Sequence, residues 1–183
     1  MLTTDEINLV NDSRFLLEKR KILKKISYGL GEVEITLKEL INQGGYHFPE
    51  GTLTKSGKIS RGENYKGLPY LVLDFPRYSE NEQIFIFRTM FWWGNYFLCL
   101  LITQNCGYTI NANEAGSNLL INLGESPWDY DIAGSDWAPL NSLEHPPKHP
   151  FLALGSTISL DRMDELPNTS KTTFQTIMTF MSK

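Results

Sequence analysis

Residues 84–102 read Ile-Phe-Ile-Phe-Arg-Thr-Met-Phe-Trp-Trp-Gly-Asn-Tyr-Phe-Leu-Cys-Leu-Leu-Ile, nineteen positions with a single charge, Arg88. Such a length could span a bilayer as a helix. Two features oppose that reading. Phe, Ile, Trp and Tyr favour strands, and Arg88 at mid-membrane depth would be costly without a partner. Gly94-Asn95 between the two runs is a hairpin signal, because both residues tolerate the positive φ of a tight turn. The stretch therefore reads as a β-hairpin. With a two-residue loop, Trp93 would face Tyr96, Phe91 would face Leu98, and Arg88 would face Leu101. Both faces would be largely apolar. The hairpin should then lie centrally in a sheet, or have helices on one face and a partner or ligand on the other.

Outward from the hairpin, Tyr70–Phe75 reads as a strand that Pro76 stops. A polar connection, Pro76–Gln83, leads into the hairpin and makes an antiparallel meander of three strands. Asn118–Leu123 is a further short strand. Phe151–Leu160 is a strand with a bend or bulge at Gly155. A helix is expected after Asn168, with Phe174, Ile177, Met178 and Met181 on its apolar stripe.

On the N-terminal side, Thr3 and Glu6 form a capping-box pattern. Leu23, Ile26, Leu30, Val33, Leu37 and Leu40 recur at alternating spacings of three and four, a helical stripe that should cover one side of the sheet. Gly29 and Gly31 each cost about 1 kcal/mol inside a helix, so a kink or a junction of two helices is expected there. Residues 44–69 read as a long connection. The sum is an α+β protein: an antiparallel sheet with a central Trp-rich hairpin, N-terminal helices and a C-terminal helix packed on it. A single domain over residues 1–183 is expected, with a helical segment 1–43 and the sheet and last helix in 57–183.

The net charge of -4 is mild and argues against general nucleic-acid binding. Residues 111–183 carry four basic and nine acidic groups, a field that repels phosphate backbones. The basic run Lys19–Lys25 reads as a solvated helix face. Cys99 and Cys106 lie on one extended segment and are expected to be free thiols. The N-terminus has no charged region followed by an apolar core, so a cytoplasmic location without membrane attachment is expected.

Motifs for chemistry are sparse. Gly51–Ile59 has five residues between its glycines and Ile59 after Lys58, which departs from a phosphate-binding loop. Asp129–Leu140 begins like a calcium loop but has Ala133 and Leu140 where ligands are needed. His145 and His149 are separated by Pro146 and Pro147, so no helix aligns them. No metal and no cofactor is expected, and no catalytic set is legible.

What remains is a polar constellation beside the hairpin. Arg88 keeps its charge when buried and needs a carboxylate or an anion. Asp74 and Glu63 are the candidate partners, or the acid/base groups of an active site. A buried structural ion pair is the favoured reading. The functional alternative has Arg61, Arg77 and Arg88 converging on an anionic small molecule, with Tyr65, Trp92 and Trp93 as aromatic walls.

Lys58–Tyr70, Leu73–Arg77 and Phe87–Asn95, with the wording Arg-Gly-Glu-Asn-Tyr, Leu-Pro-Tyr and Arg-Thr-Met-Phe-Trp-Trp-Gly-Asn, resemble a stretch found in a set of short uncharacterised bacterial proteins. That set carries no assigned activity. The resemblance implies a bacterial, complete chain and supplies neither catalytic residues nor a cofactor. The expected role is a non-enzymatic binding or assembly domain. An enzyme or sensor for an anionic small molecule is the alternative. The partner classes carried forward are a second copy, in a homo-oligomer, and that small anion.

Overall fold

A computed structural model describes residues 1–110, 119–134, 136–143, 147 and 149–182. His145 lies outside the described residues. Helix α1, Thr4–Asn11, opens with the expected capping box: the Glu6 N–H donates to Thr3 Oγ1 at 3.3 Å, and the Thr3 N–H donates to Glu6 Oε2 at 2.7 Å. Asp12 ends α1 and caps the next helix through a 3.0 Å bond from the Arg14 N–H.

Helix α2, Ser13–Asn42, is continuous through Gly29 and Gly31, so the expected break there does not occur. The physical reason at Gly29 is packing. A Cβ on it would stand 2.5 Å from the Met163 methyl, so the missing side chain makes room for a neighbour. Ile26, Leu30, Val33, Leu37 and Leu40 are buried as the stripe required.

The main sheet is built of β1 (Lys58–Tyr65), β2 (Leu68–Glu80), β3 (Gln83–Trp92), β4 (Tyr96–Gln104), β6 (Leu120–Asn122), β7 (Trp137–Pro139) and β8 (Phe151–Ser159). Its order is β1-β2-β3-β4-β8-β6-β7, and every pairing is antiparallel. Two short strands, β5 (Thr109–Ile110) and β9 (Met181–Ser182), pair separately. A 3₁₀ segment, Leu160–Glu165, leads into α3, Leu166–Phe180.

Four expectations are corrected. Residues 58–65 form an edge strand instead of a connection; its polar, exposed pattern is that of an edge that discourages further pairing. Pro76 does not stop β2, because the ladder shifts between Asp74 and Arg77 and asks no N–H of it. The link to β3 is a two-residue turn, Asn81-Glu82, with both residues at positive φ. The central hairpin has a three-residue loop, Trp93-Gly94-Asn95: Phe91 pairs with Phe97, and Arg88 pairs with Leu100. A slip of one residue moves each β4 side chain to the other face.

That register settles the two layers. Leu71, Leu73, Phe75, Phe87, Phe97 and Leu101 face α2 and α3. Val72, Met90, Trp92, Leu98, Leu100 and Ile102 form the second face, with Tyr130 and Trp137 in the same cluster. The hairpin lies inside the sheet, the first of the two placements expected for it, and the chain's own Trp128–Ile132 segment contributes to the cover of this second face. Among the described residues, no helix is long and apolar enough to cross a membrane.

Candidate functional site

Asp74 on β2 stands opposite Arg88 on β3. Arg88 Nε donates to Asp74 Oδ1 at 2.7 Å and Nη2 donates to Oδ2 at 2.8 Å, a bidentate pair. Nη1 donates to the Tyr130 hydroxyl. The guanidinium also lies 5.3 Å from the Trp128 ring centre and 5.5 Å from that of Tyr130. All three nitrogens are therefore engaged by protein groups. Burial works against the charged form of Arg88, but Asp74 and Tyr130 outweigh it and hold its pKa above the ordinary value. Burial, aided by Asp74 and opposed by Arg88, pushes Tyr130 up to about 12, so it stays a neutral phenol.

The covering segment is pinned around this pair. The Tyr65 hydroxyl donates to Asp129 Oδ1 at 2.9 Å and accepts from the Tyr130 N–H at 2.7 Å. The Tyr96 hydroxyl repeats the arrangement between the Tyr130 carbonyl and the Ile132 N–H, both at 2.8 Å. Lys66 Nζ reaches Asp131 at 2.7 Å and Asp129 at 3.6 Å. Tyr65 packs edge-on to Trp92 with ring centres 5.1 Å apart. Burial, with the two nearby aspartates, drives the Tyr65 hydroxyl far above its usual range. Asp129 and Asp131, part of the stretch that began like a calcium loop, serve as loop anchors.

The remaining residues of the sequence constellation do not converge on Arg88. Arg77 lies opposite Ile86 and shares the Arg88 face, with its Nε buried and unpartnered by protein. Arg61 pairs with Leu71 and so lies on the opposite, helix-facing side. Glu63 binds Lys19 of α2 at 2.5 Å. Trp93 belongs to the helix-facing layer, edge-on to Phe15 at 6.5 Å. The aromatic walls are thus divided: Tyr65 and Trp92 on one face, Trp93 on the other. Trp128 and Tyr130 were missed in the sequence, since nothing in a loop's composition says which strand it will cover, and Tyr96 on β4 was missed because its partner is that loop.

Other reactive side chains are quiet. Cys99 Sγ lies 3.1 Å from Ser170 Oγ, and burial pushes its thiol up to about 11. Cys106 Sγ lies 3.2 Å from both the Ile84 and the Gln104 carbonyl oxygens, which share its single S–H, and both thiols are free as expected. Among the described residues, no group of three His, Cys, Asp or Glu could hold a metal ion.

A second feature lies outside that constellation. Helix α1 has no buried residue, and the first turns of α2 extend its apolar exposure. Leu9 is 74% exposed, Val10 71%, Phe15 60%, Leu16 57% and Leu17 52%. On one flank of α2, Ile22, Ile26, Phe91, Trp93, Leu160 and Met163 line an apolar groove of about 370 Å³. Single exposed apolar residues are ordinary; here five fall between positions 9 and 17. The signal in the sequence was a surplus: residues 7–17 carry more apolar side chains than the Leu23–Leu40 stripe continues. No family model, no curated protein and no solved structure matches the chain.

Proposed function

We propose that the protein is a non-enzymatic binding and assembly domain whose working surface is the N-terminal helical arm, α1 with the first turns of α2. The observation that carries this reading is the exposure of Leu9, Val10, Phe15, Leu16 and Leu17 on helices that bury nothing of their own there. A short isolated helix is marginal in water, and helices draw most of their stability from packing an apolar face. An eight-residue α1 with no buried residue therefore gains its stabilising surface from elsewhere. The rest of the constellation supports the same reading, since Arg88 and Asp74 on the far sheet face, and Glu63 beside α2, are consumed in ion pairs. We place this assembly in the cytoplasm, where the two free thiols stay reduced.

The test uses the full-length chain and a Leu9→Glu/Val10→Glu variant. Both positions are exposed, so the variant should fold with stability within about 0.5 kcal/mol of the parent. Sedimentation and a quantitative pull-down should show the parent associating with itself or with a retained protein, and the variant losing that association. A parent that associates with nothing the variant loses overturns the proposal.

A further inference from the structure

Two contiguous clefts run between α2 and β1, of about 450 and 460 Å³, and they share Arg20, Leu23 and Arg61. One end is cationic: Arg20 and Lys24, four apart on α2, face Arg61, with the Ser27 and Ser60 side chains beside them. The other end adds the apolar Leu16 and Leu17 beside the shared Leu23, with Ser13, Lys19 and Glu63 around them. Glu63 lines the second cleft but not the first, and Lys19 neutralises it at 2.5 Å. Arg20, Lys24 and Arg61 make no ion pair with a described carboxylate. Three cations thus line one cleft with no described carboxylate paired to any of them.

The same chain carries a complement. Residues 1–12 hold Asp5, Glu6 and Asp12 and no Lys or Arg, and Ile7, Leu9 and Val10 are exposed on α1. Residues 13–25 hold Arg14, Lys19, Arg20, Lys21, Lys24 and Lys25 against Glu18 alone. An acidic apolar helix of eight residues, about 12 Å long, thus matches a basic cleft with an apolar end. Helix α1 cannot reach its own cleft. Asp12 is the sole residue between the helices and caps both, whereas helix pairs that fold back need connections of about 2–8 residues.

Resting on the assembly reading above, we propose that the cleft between α2 and β1 receives α1 of a second copy, in a reciprocal two-fold dimer. Asp5 and Glu6 of each copy lie against Arg20, Lys24 and Arg61 of the other, while Ile7, Leu9 and Val10 cover Leu16, Leu17 and Leu23. A two-fold operator makes both contacts at once, since each chain gives and receives the same helix.

The experiment reverses charge on each side separately in the full-length chain. One variant is Asp5→Lys/Glu6→Gln, where Gln keeps the capping box. The other is Arg20→Glu/Lys24→Glu. Each alone should weaken the dimer about tenfold or more in sedimentation equilibrium, because like charges replace attractive pairs at both contacts. Mixed, they should form a heterodimer, since the basic α1 then meets the acidic cleft and the acidic α1 meets the native one. A parent chain that stays monomeric at every concentration overturns the proposal. If Leu9→Glu/Val10→Glu breaks the dimer while neither charge variant weakens it and no heterodimer forms, the seat in the cleft is wrong and the assembly role survives.

Discussion

At the scale of the residue, Arg88 decides what the hairpin can do. A guanidinium keeps its charge at any ordinary pH, so burying it beside apolar strands demanded a compensating carboxylate, and this much was legible in the sequence. The choice between Asp74 and Glu63 was not. It follows from strand register, which sets Asp74 opposite Arg88, while Glu63 sits on the edge strand β1 and meets Lys19 of α2. Removing one partner of a buried pair leaves the other charge stranded, at a cost of about 3–5 kcal/mol. Arg88→Met should therefore destabilise the fold by about that amount in denaturant unfolding. Arg88→Met combined with Asp74→Leu should recover most of the loss, because the penalty belongs to the unpaired charge. A double variant no better than the single would argue against the pair as the cause.

At the scale of the element, the β4–β8 pairing shows what a strand glycine is for. Gly155 was expected to mark a bulge or bend, and Tyr96–Gln104 pairs with Phe151–Ser159 without a shift, so no bulge with β4 occurs there. A Cβ at Gly155 would stand 2.2 Å from the Cys99 carbonyl oxygen and 3.0 Å from Leu100 Cα. The residue is glycine because a neighbouring backbone passes too close for any side chain. Gly155→Ala should cost about 1–3 kcal/mol, since rigid backbone must move to admit the methyl group. An unchanged unfolding midpoint would show that the strands part freely at that point. The existence of β2, β3, β4, β8 and α3 was visible from their apolar patterns. The limits of β2 and the loop of the central hairpin were not, because a bulge or one extra turn residue leaves the local composition unchanged.

At the scale of the whole molecule, the central hairpin is internal to the sheet, and a loop of the chain itself packs on the face opposite the helices. Residues 128–132 lie against the second sheet face and are held by Tyr65, Tyr96 and Lys66. Burial raises the Asp129 carboxyl, but the Asp131 N–H, the Tyr65 hydroxyl and Lys66 outweigh it and hold the group below its ordinary value of 3.8. A carboxyl depressed on folding contributes stability that is present above its unfolded value and lost as pH falls through the folded one. Acidification below pH 3.8 should therefore loosen the cover and change the fluorescence of Trp128 and Trp137. Asp129→Asn should start from a looser cover and lose that part of the pH dependence; identical acid profiles for the two proteins would contradict the anchor. By itself the sequence determined the α+β class, the antiparallel meander, the helical stripe from Ile26 to Leu40 and the need to neutralise Arg88. Each of those rests on local periodicity or on the chemistry of one side chain. Tertiary structure alone decided that Asp74 answers Arg88, that Arg61 lies across the sheet from it, and that the helical arm stands uncovered. Those facts depend on register and on which segment reaches which face, and contacts between residues far apart in the chain leave no periodic trace in it.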